Sequence, residues 1–217
     1  MANKAVTKKK RMRFMATATS FVALVSFIYK LALGIYGMSL VLIIASFSSL
    51  MVFICKFFFV RNVYETRAKK KKVYLFMILS VLVYSLIFLA TVVLKIYGID
   101  ISEQKSYTGL LGSILIGVMI VMFVLSIIKL RGALEKSDLM VIGLKEMIYV
   151  SALADFVIIE NYIYGMYTQY RPENVVFYNI TKFFPLGIGV LMLITTIFMF
   201  VRYFKYEVKK KEETKTE

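Results

Sequence analysis

Residues 144–164 read LKEMIYVSALADFVIIENYIY. The stretch is long and apolar enough to cross a bilayer, for which about 20 residues suffice. Yet it carries Lys145, Glu146, Asp155 and Glu160. A charged group deep in hydrocarbon is costly and turns towards protein or a water-filled cavity rather than lipid. The stretch is therefore expected to form a helix ringed by other helices.

Working outward, five more apolar runs supply those neighbours. Membrane spans are expected at about 14–34, 38–60, 73–94, 109–128, 139–164 and 183–204. A short turn at 34–37 (GIYG) would join the first two, because glycine tolerates the angles of a tight reversal. A charged loop is expected at 61–72, a polar loop at 95–108 and a short loop at 129–138, with Ser137 as an N-cap. An aromatic-rich loop at 165–182 precedes the last span, with Pro185 in its first turn. A basic tail (1–13) and a charged tail (205–217) complete the chain. The expected fold is an all-α membrane protein, a six-transmembrane-helix bundle in one domain.

Composition agrees. Of 217 residues 60% are hydrophobic, and the mean hydropathy is +0.76; soluble domains sit nearer half apolar. No small-residue cleavage site follows the first apolar run, so that run reads as a retained helix and not a signal peptide.

The net charge of +15 follows from topology. With six spans, 21 Lys and Arg fall on the side that holds both tails and the second and fourth loops, and only Lys95, Lys105, Arg171 and Lys182 fall on the other. Positive charge collects on the cytoplasmic side, so N and C termini are expected in the cytoplasm, facing anionic lipid heads. No aromatic platform accompanies the lysine runs, so no nucleic-acid partner is expected.

The triplets Ile35-Tyr36-Gly37, Ile96-Tyr97-Gly98 and Ile163-Tyr164-Gly165 each close an odd-numbered span. They raise the alternative of three related helical hairpins. The plainer account is that Tyr favours the membrane interface and Gly favours helix ends.

Among the charges, Asp155 is the deepest acid, about 15 Å from the end of its helix at Gly165, with Glu160 about 7 Å in. At about 100° per residue they point some 140° apart. Ser151 and Asp155 share one stripe, and Glu146, Leu153 and Glu160 another. Lys30 lies at a depth between the two acids, which suggests an intramembrane charge cluster of Lys30, Asp155 and Glu160. The cluster reads either as a static ion pair with a snorkelling Lys30 or as a substrate-coupled switch. Lys145 and Glu146 are expected as interfacial anchors. Gly109, Ser113 and Gly117 form a small-residue face suited to close helix packing.

The lone Cys55 excludes an intrachain disulfide, and the absence of histidine removes imidazole ligands and bases. No cofactor, metal site or catalytic constellation is expected, and the chain does not read as an enzyme. The stretches 145–149 (KEMIY), 152–156 (ALADF) and 193–196 (LITT) resemble uncharacterised multi-span membrane proteins of AT-rich Gram-positive bacteria. That resemblance implies a bacterial plasma-membrane protein. The reading is a non-enzymatic accessory, sensor or assembly subunit with a membrane-protein partner or a homo-oligomeric form. The alternative is a small transporter or substrate-binding component that uses Lys30, Asp155 and Glu160.

Overall fold

The computed structural model describes residues 2–36, 40–97, 110–136, 138–170 and 175–213. Within them the chain is helical, with no strand, and six helices follow in order. They are α1 (Ala2–Tyr36), α2 (Leu40–Asn62), α3 (Arg67–Ile96), α4 (Leu110–Lys136), α5 (Leu139–Tyr170) and α6 (Val175–Glu213). Five of them, α1 to α4 and α6, are long and apolar enough to cross a membrane. Helix α5 has the length but carries the four charges noted above.

The helices overrun the apolar runs that seed them. Helix α1 takes in the basic stretch before Phe14, and α6 continues through the charged segment to Glu213. Lys, Arg and Glu are good helix formers, so nothing stops the helix where hydrophobicity ends. The expected loop at 61–72 shrinks to residues 63–66, and the expected loop at 165–182 is helical up to Tyr170 and from Val175 on. Because α6 starts at Val175, Pro185 is internal rather than in the first turn; bundle neighbours allow an interior proline in apolar helices. Gly34 is helical, while Gly37 and Ser137 lie outside the described residues. Asp138 stands at the start of α5, its carbonyl accepting the amides of Val141 at 2.8 Å and Ile142 at 3.1 Å.

Helix α5 packs against α2, α3, α4 and α6. Val150, Ser151, Ala152, Leu153 and Ala154 are all buried. Five consecutive residues sweep more than a full turn, so the helix is covered on every side at that level. Helix α4 is the opposite case. Its described buried residues Met119, Ser126 and Ala133 recur every seven positions, the narrow stripe of a helix whose backbone, among the described residues, approaches α5 only. Among the described residues helix α1 likewise packs on α2 alone, through a stripe of Ala16, Ser20, Ala23, Lys30 and Gly34.

The main core runs between α2, α3, α5 and α6 and includes Cys55, Tyr74, Met77, Val81, Met147, Val150, Met192 and Met199. A smaller cluster of Leu42, Ala45, Met119, Ile158 and Ile159 joins α2, α4 and α5. Between apolar helices the gain comes from close packing and polar contacts, not from escape out of water. Glycines mark the tightest approaches. A Cβ at Gly34 would lie 2.9 Å from the backbone nitrogen of Ile43, one at Gly143 2.5 Å from the Tyr74 ring, and one at Gly189 2.5 Å from Leu89.

Three related hairpins are not what the packing gives. Helices α1 and α2 pair, as do α5 and α6, but among the described residues α3 and α4 make no contact. Helix α3 packs on α2, α5 and α6 instead.

Candidate functional site

Two polar constellations lie inside the bundle, on opposite faces of α5. Glu146 and Asp155 are nine residues apart, which places them about 14 Å apart along the axis and about 180° around it. Asp155 faces α1 and α2, and Glu146 faces α3 and α6.

On the first face, Lys30 of α1 forms an ion pair with Asp155. Both side chains are largely shielded, at 5% and 17% exposure. The Lys30 ammonium also donates to Ser49 Oγ at 3.1 Å, and Ser49 lies 3.4 Å from Ser26 Oγ. One turn before Asp155, Ser151 meets Ser48 of α2 at 2.9 Å. Buried Tyr84 of α3 brings its hydroxyl near Ser48 and Asp155. The result is a seam of hydroxyls with one ion pair at its centre. An ammonium holds three donors and a carboxylate about four acceptor sites, so a lysine and an aspartate buried alone would each be left unsatisfied; the serines meet part of that demand.

The backbones of α1 and α5 do not come within 8 Å of each other among the described residues. The Lys30 side chain spans the gap across α2. Its partner choice follows from helix geometry: Asp155 lies on the stripe that faces α2, and Glu160 points about 140° away. Glu160 makes no ion pair with Lys30, although both its carboxylate oxygens are covered. The expected three-member cluster is therefore a pair, Lys30 with Asp155, and Glu160 is not brought to it.

On the second face, Arg202 of α6 forms an ion pair with Glu146. The Tyr74 hydroxyl donates to Glu146 Oε2 at 3.3 Å and lies 3.3 Å from the Met199 carbonyl. Gly143 makes this possible, because the Tyr74 ring occupies the space a side chain there would need. Glu146 is thus a buried pairing residue and not the interfacial anchor its position suggested. Nothing local in the sequence links it to Arg202, 56 residues on. Nearby, buried Lys56 donates to the Thr19 carbonyl at 2.9 Å, tying α2 to α1, with Lys129 and Lys145 close enough to repel it.

Of the expected small-residue face on α4, Gly109 and the Ser113 side chain lie outside the described residues. Gly117 is exposed, with nothing within 4 Å of where a Cβ would stand. Among the described residues close helix approach falls to Gly34, Gly143 and Gly189 instead. Aromatic rings fill the α4–α5–α6 contact: Phe123 stacks on Phe156 at 5.0 Å, and Phe156 meets Phe184 at 5.6 Å.

The cations of successive helices gather at one end. Arg13 lies over Tyr64, Arg67 over Tyr206 and Lys71 over Tyr203, and Lys70 pairs with Asp138 at 2.6 Å. At this basic end a cavity of about 520 Å³ opens between α3, α5 and α6.

No family model matches the chain, and no curated protein or solved structure is found to be similar to it.

Proposed function

We propose that the chain is a protein of a bacterial plasma membrane that crosses it six times, with both termini in the cytoplasm. We further propose that it works by association rather than catalysis, as an accessory, sensor or assembly subunit. The carrying observation is that Lys30 and Asp155 pair across helices whose backbones do not touch. Among the described residues α1 packs its length on α2, and this ion pair reaches past α2 to α5. A partner that competes for either charge can free α1 from α5 while α1 stays seated on α2. Reading α5 as the sixth crossing is supported by its enclosure, which removes the objection its charges would raise in contact with lipid.

The test is purification from native membranes in mild detergent. The reading predicts a stoichiometric companion, a different protein or a second copy, that is lost from Asp155→Asn while the variant itself stays folded. Isolation of the unaltered chain only as a lone monomer contradicts it. Reporter fusions at each terminus test the topology separately, and an external N- or C-terminus contradicts that part.

A second reading is a small transporter or substrate-binding component. The hydroxyl seam of Ser26, Ser48, Ser49, Ser151 and Tyr84 around the ion pair favours it, since polar groups deep in a bundle are where transporters hold substrate. It predicts a ligand-dependent thermal shift that Asp155→Asn abolishes. No shift across a broad substrate panel contradicts it.

A further inference from the structure

We propose that Lys56, Lys129 and Lys145 together bind a phosphate group, supplied by the headgroup of an anionic phospholipid. The three come from different helices and lie at one level. Lys56 is six residues from the end of α2 at Asn62, Lys145 six from the start of α5 at Leu139, and Lys129 seven from the end of α4 at Lys136. Each is therefore about 9–10 Å inside the basic end of the bundle.

Their faces converge as well. On α2, Leu42, Ala45, Ser49, Val52 and Lys56 fall within about 80° of one another, and all are buried. Leu42 and Ala45 of that stripe pack with Met119 of α4 and with Ile158 and Ile159 of α5. On α5, Lys145 shares a stripe with Tyr149 and Phe156, which stack on Phe123 of α4. On α4, Lys129 flanks the stripe of Ser126 and Ala133 that meets α5. The α2–α4–α5 junction is thus filled by apolar side chains towards its far end and lined by ammoniums at its basic end. Among the described residues the backbones of α2 and α4 do not come within 8 Å of each other, so the lysines meet over α5 across a gap between those two helices.

No described acid balances these charges. Of the carboxylates whose side chains are described, Glu65, Asp138, Glu146 and Asp155 pair with Lys69, Lys70, Arg202 and Lys30. Glu160, the remaining one, stands fifteen residues along α5 from Lys145, about 22 Å away. Lys56 is 8% exposed, and its hydrogen bond to the Thr19 carbonyl engages a neutral group. Lys129 and Lys145 are close enough to repel it and each other. Like charges gathered at this depth cost free energy that a bound anion recovers. A phosphate carries several oxygens, one for each ammonium, and lysine meets it as a point charge. Lys129 is exposed beside exposed Leu125 and Ile128, so the site opens along an apolar surface suited to the acyl chains of a lipid.

The choice of a lipid rests on the topology proposed above, which sets the basic end at the cytoplasmic headgroup layer. Anionic lipids are concentrated there, and basic sites between helices take their headgroups. A free phosphate ester shares the chemistry and differs in the source.

The test uses the full chain in neutral detergent, with dioctanoyl-phosphatidylglycerol, dioctanoyl-phosphatidylcholine and glycerol phosphate as probes in a binding titration. Phosphatidylglycerol should bind at least about tenfold tighter than phosphatidylcholine, and Lys129→Gln/Lys145→Gln should lose about tenfold. Lys69→Gln/Lys205→Gln, which removes the same charge from α3 and α6, should change nothing. Equal binding of both lipids, or equal loss in the control variant, overturns the site. Glycerol phosphate binding as tightly as phosphatidylglycerol keeps the phosphate site and overturns the lipid as its source. Should the double variant not fold, Lys129→Gln alone, at an exposed position, should still weaken phosphatidylglycerol binding, and unchanged binding there overturns the site. Thermal unfolding gives a second readout. Without lipid, Lys129→Gln should unfold at a higher temperature than the unaltered chain, because a repulsion is gone, and a lower temperature overturns the claim that these charges lack a counter-ion. Binding in micelles does not depend on which side the basic end faces, so a wrong topology and a wrong site give different results.

Discussion

Glu146 and Asp155 stand on opposite faces of α5, and each is held by a cation from a different helix, Arg202 from α6 and Lys30 from α1. The central helix is therefore pinned from two sides, at two depths. This explains how a helix with four charged residues can occupy the middle of an apolar bundle. The acids that would exclude it from lipid are the groups that join it to its surround.

The two members of the Glu146–Arg202 pair differ in burial, at 4% and 29% exposure, and this sets the direction of mutational effects. Arg202→Met strands a buried carboxylate and should cost about 3 kcal/mol, the scale of a broken buried pair. Glu146→Gln leaves an arginine that can reach water along its own stem, and should cost about half as much. Thermal unfolding in detergent checks this; equal losses, or the reverse order, contradict it.

Close approach is carried by Gly143, where a Cβ would stand 2.5 Å from the Tyr74 ring, and not by Gly117, which meets nothing within 4 Å. Gly143→Ala should destabilise by about 1–3 kcal/mol through overpacking and weaken the hold of Tyr74 on Glu146. Gly117→Ala, in the open middle of a helix, should be neutral or stabilise by up to about 1 kcal/mol. Unfolding of the two variants side by side decides it. If Gly117→Ala is the damaging one, that face of α4 is covered by something outside the described residues.

Cys55 is fully buried between α2 and its neighbours. A membrane-permeant maleimide should leave it unmodified in native membranes and label it completely after denaturation. Rapid labelling of the native protein, read by mass spectrometry, would mean that the α2–α3–α5 core opens or is packed differently.

Sequence is most legible where one physical effect dominates. Hydrophobicity located the helices, and the charges of residues 144–164 singled out α5 as the one that needs cover. Depth along the helices sets Lys30 between Asp155 and Glu160, and the structure pairs it with Asp155. The angular offset of Glu160 from Asp155 was equally available, and it is the reason Glu160 does not join that pair. Helix ends were not legible, because Lys- and Glu-rich segments continue a helix as readily as they leave it; Pro185 became internal for that reason. Nor were helix neighbours. Arg202 finds Glu146, and Tyr74 fills the space beside Gly143, only because α3, α5 and α6 meet, and no local signal encodes that meeting. Regular glycine spacing drew attention to Gly117, whereas isolated glycines, Gly34, Gly143 and Gly189, make the contacts.

Lys30 and Asp155 tie α1 to α5 by acting on each other. A double-mutant cycle with Lys30→Met, Asp155→Asn and the double variant, read by unfolding in detergent, tests it most directly. Each single change should cost about 3 kcal/mol, and the double variant should lose much less than the sum, a coupling of more than about 1 kcal/mol. Additive losses, within about 0.5 kcal/mol, would contradict it.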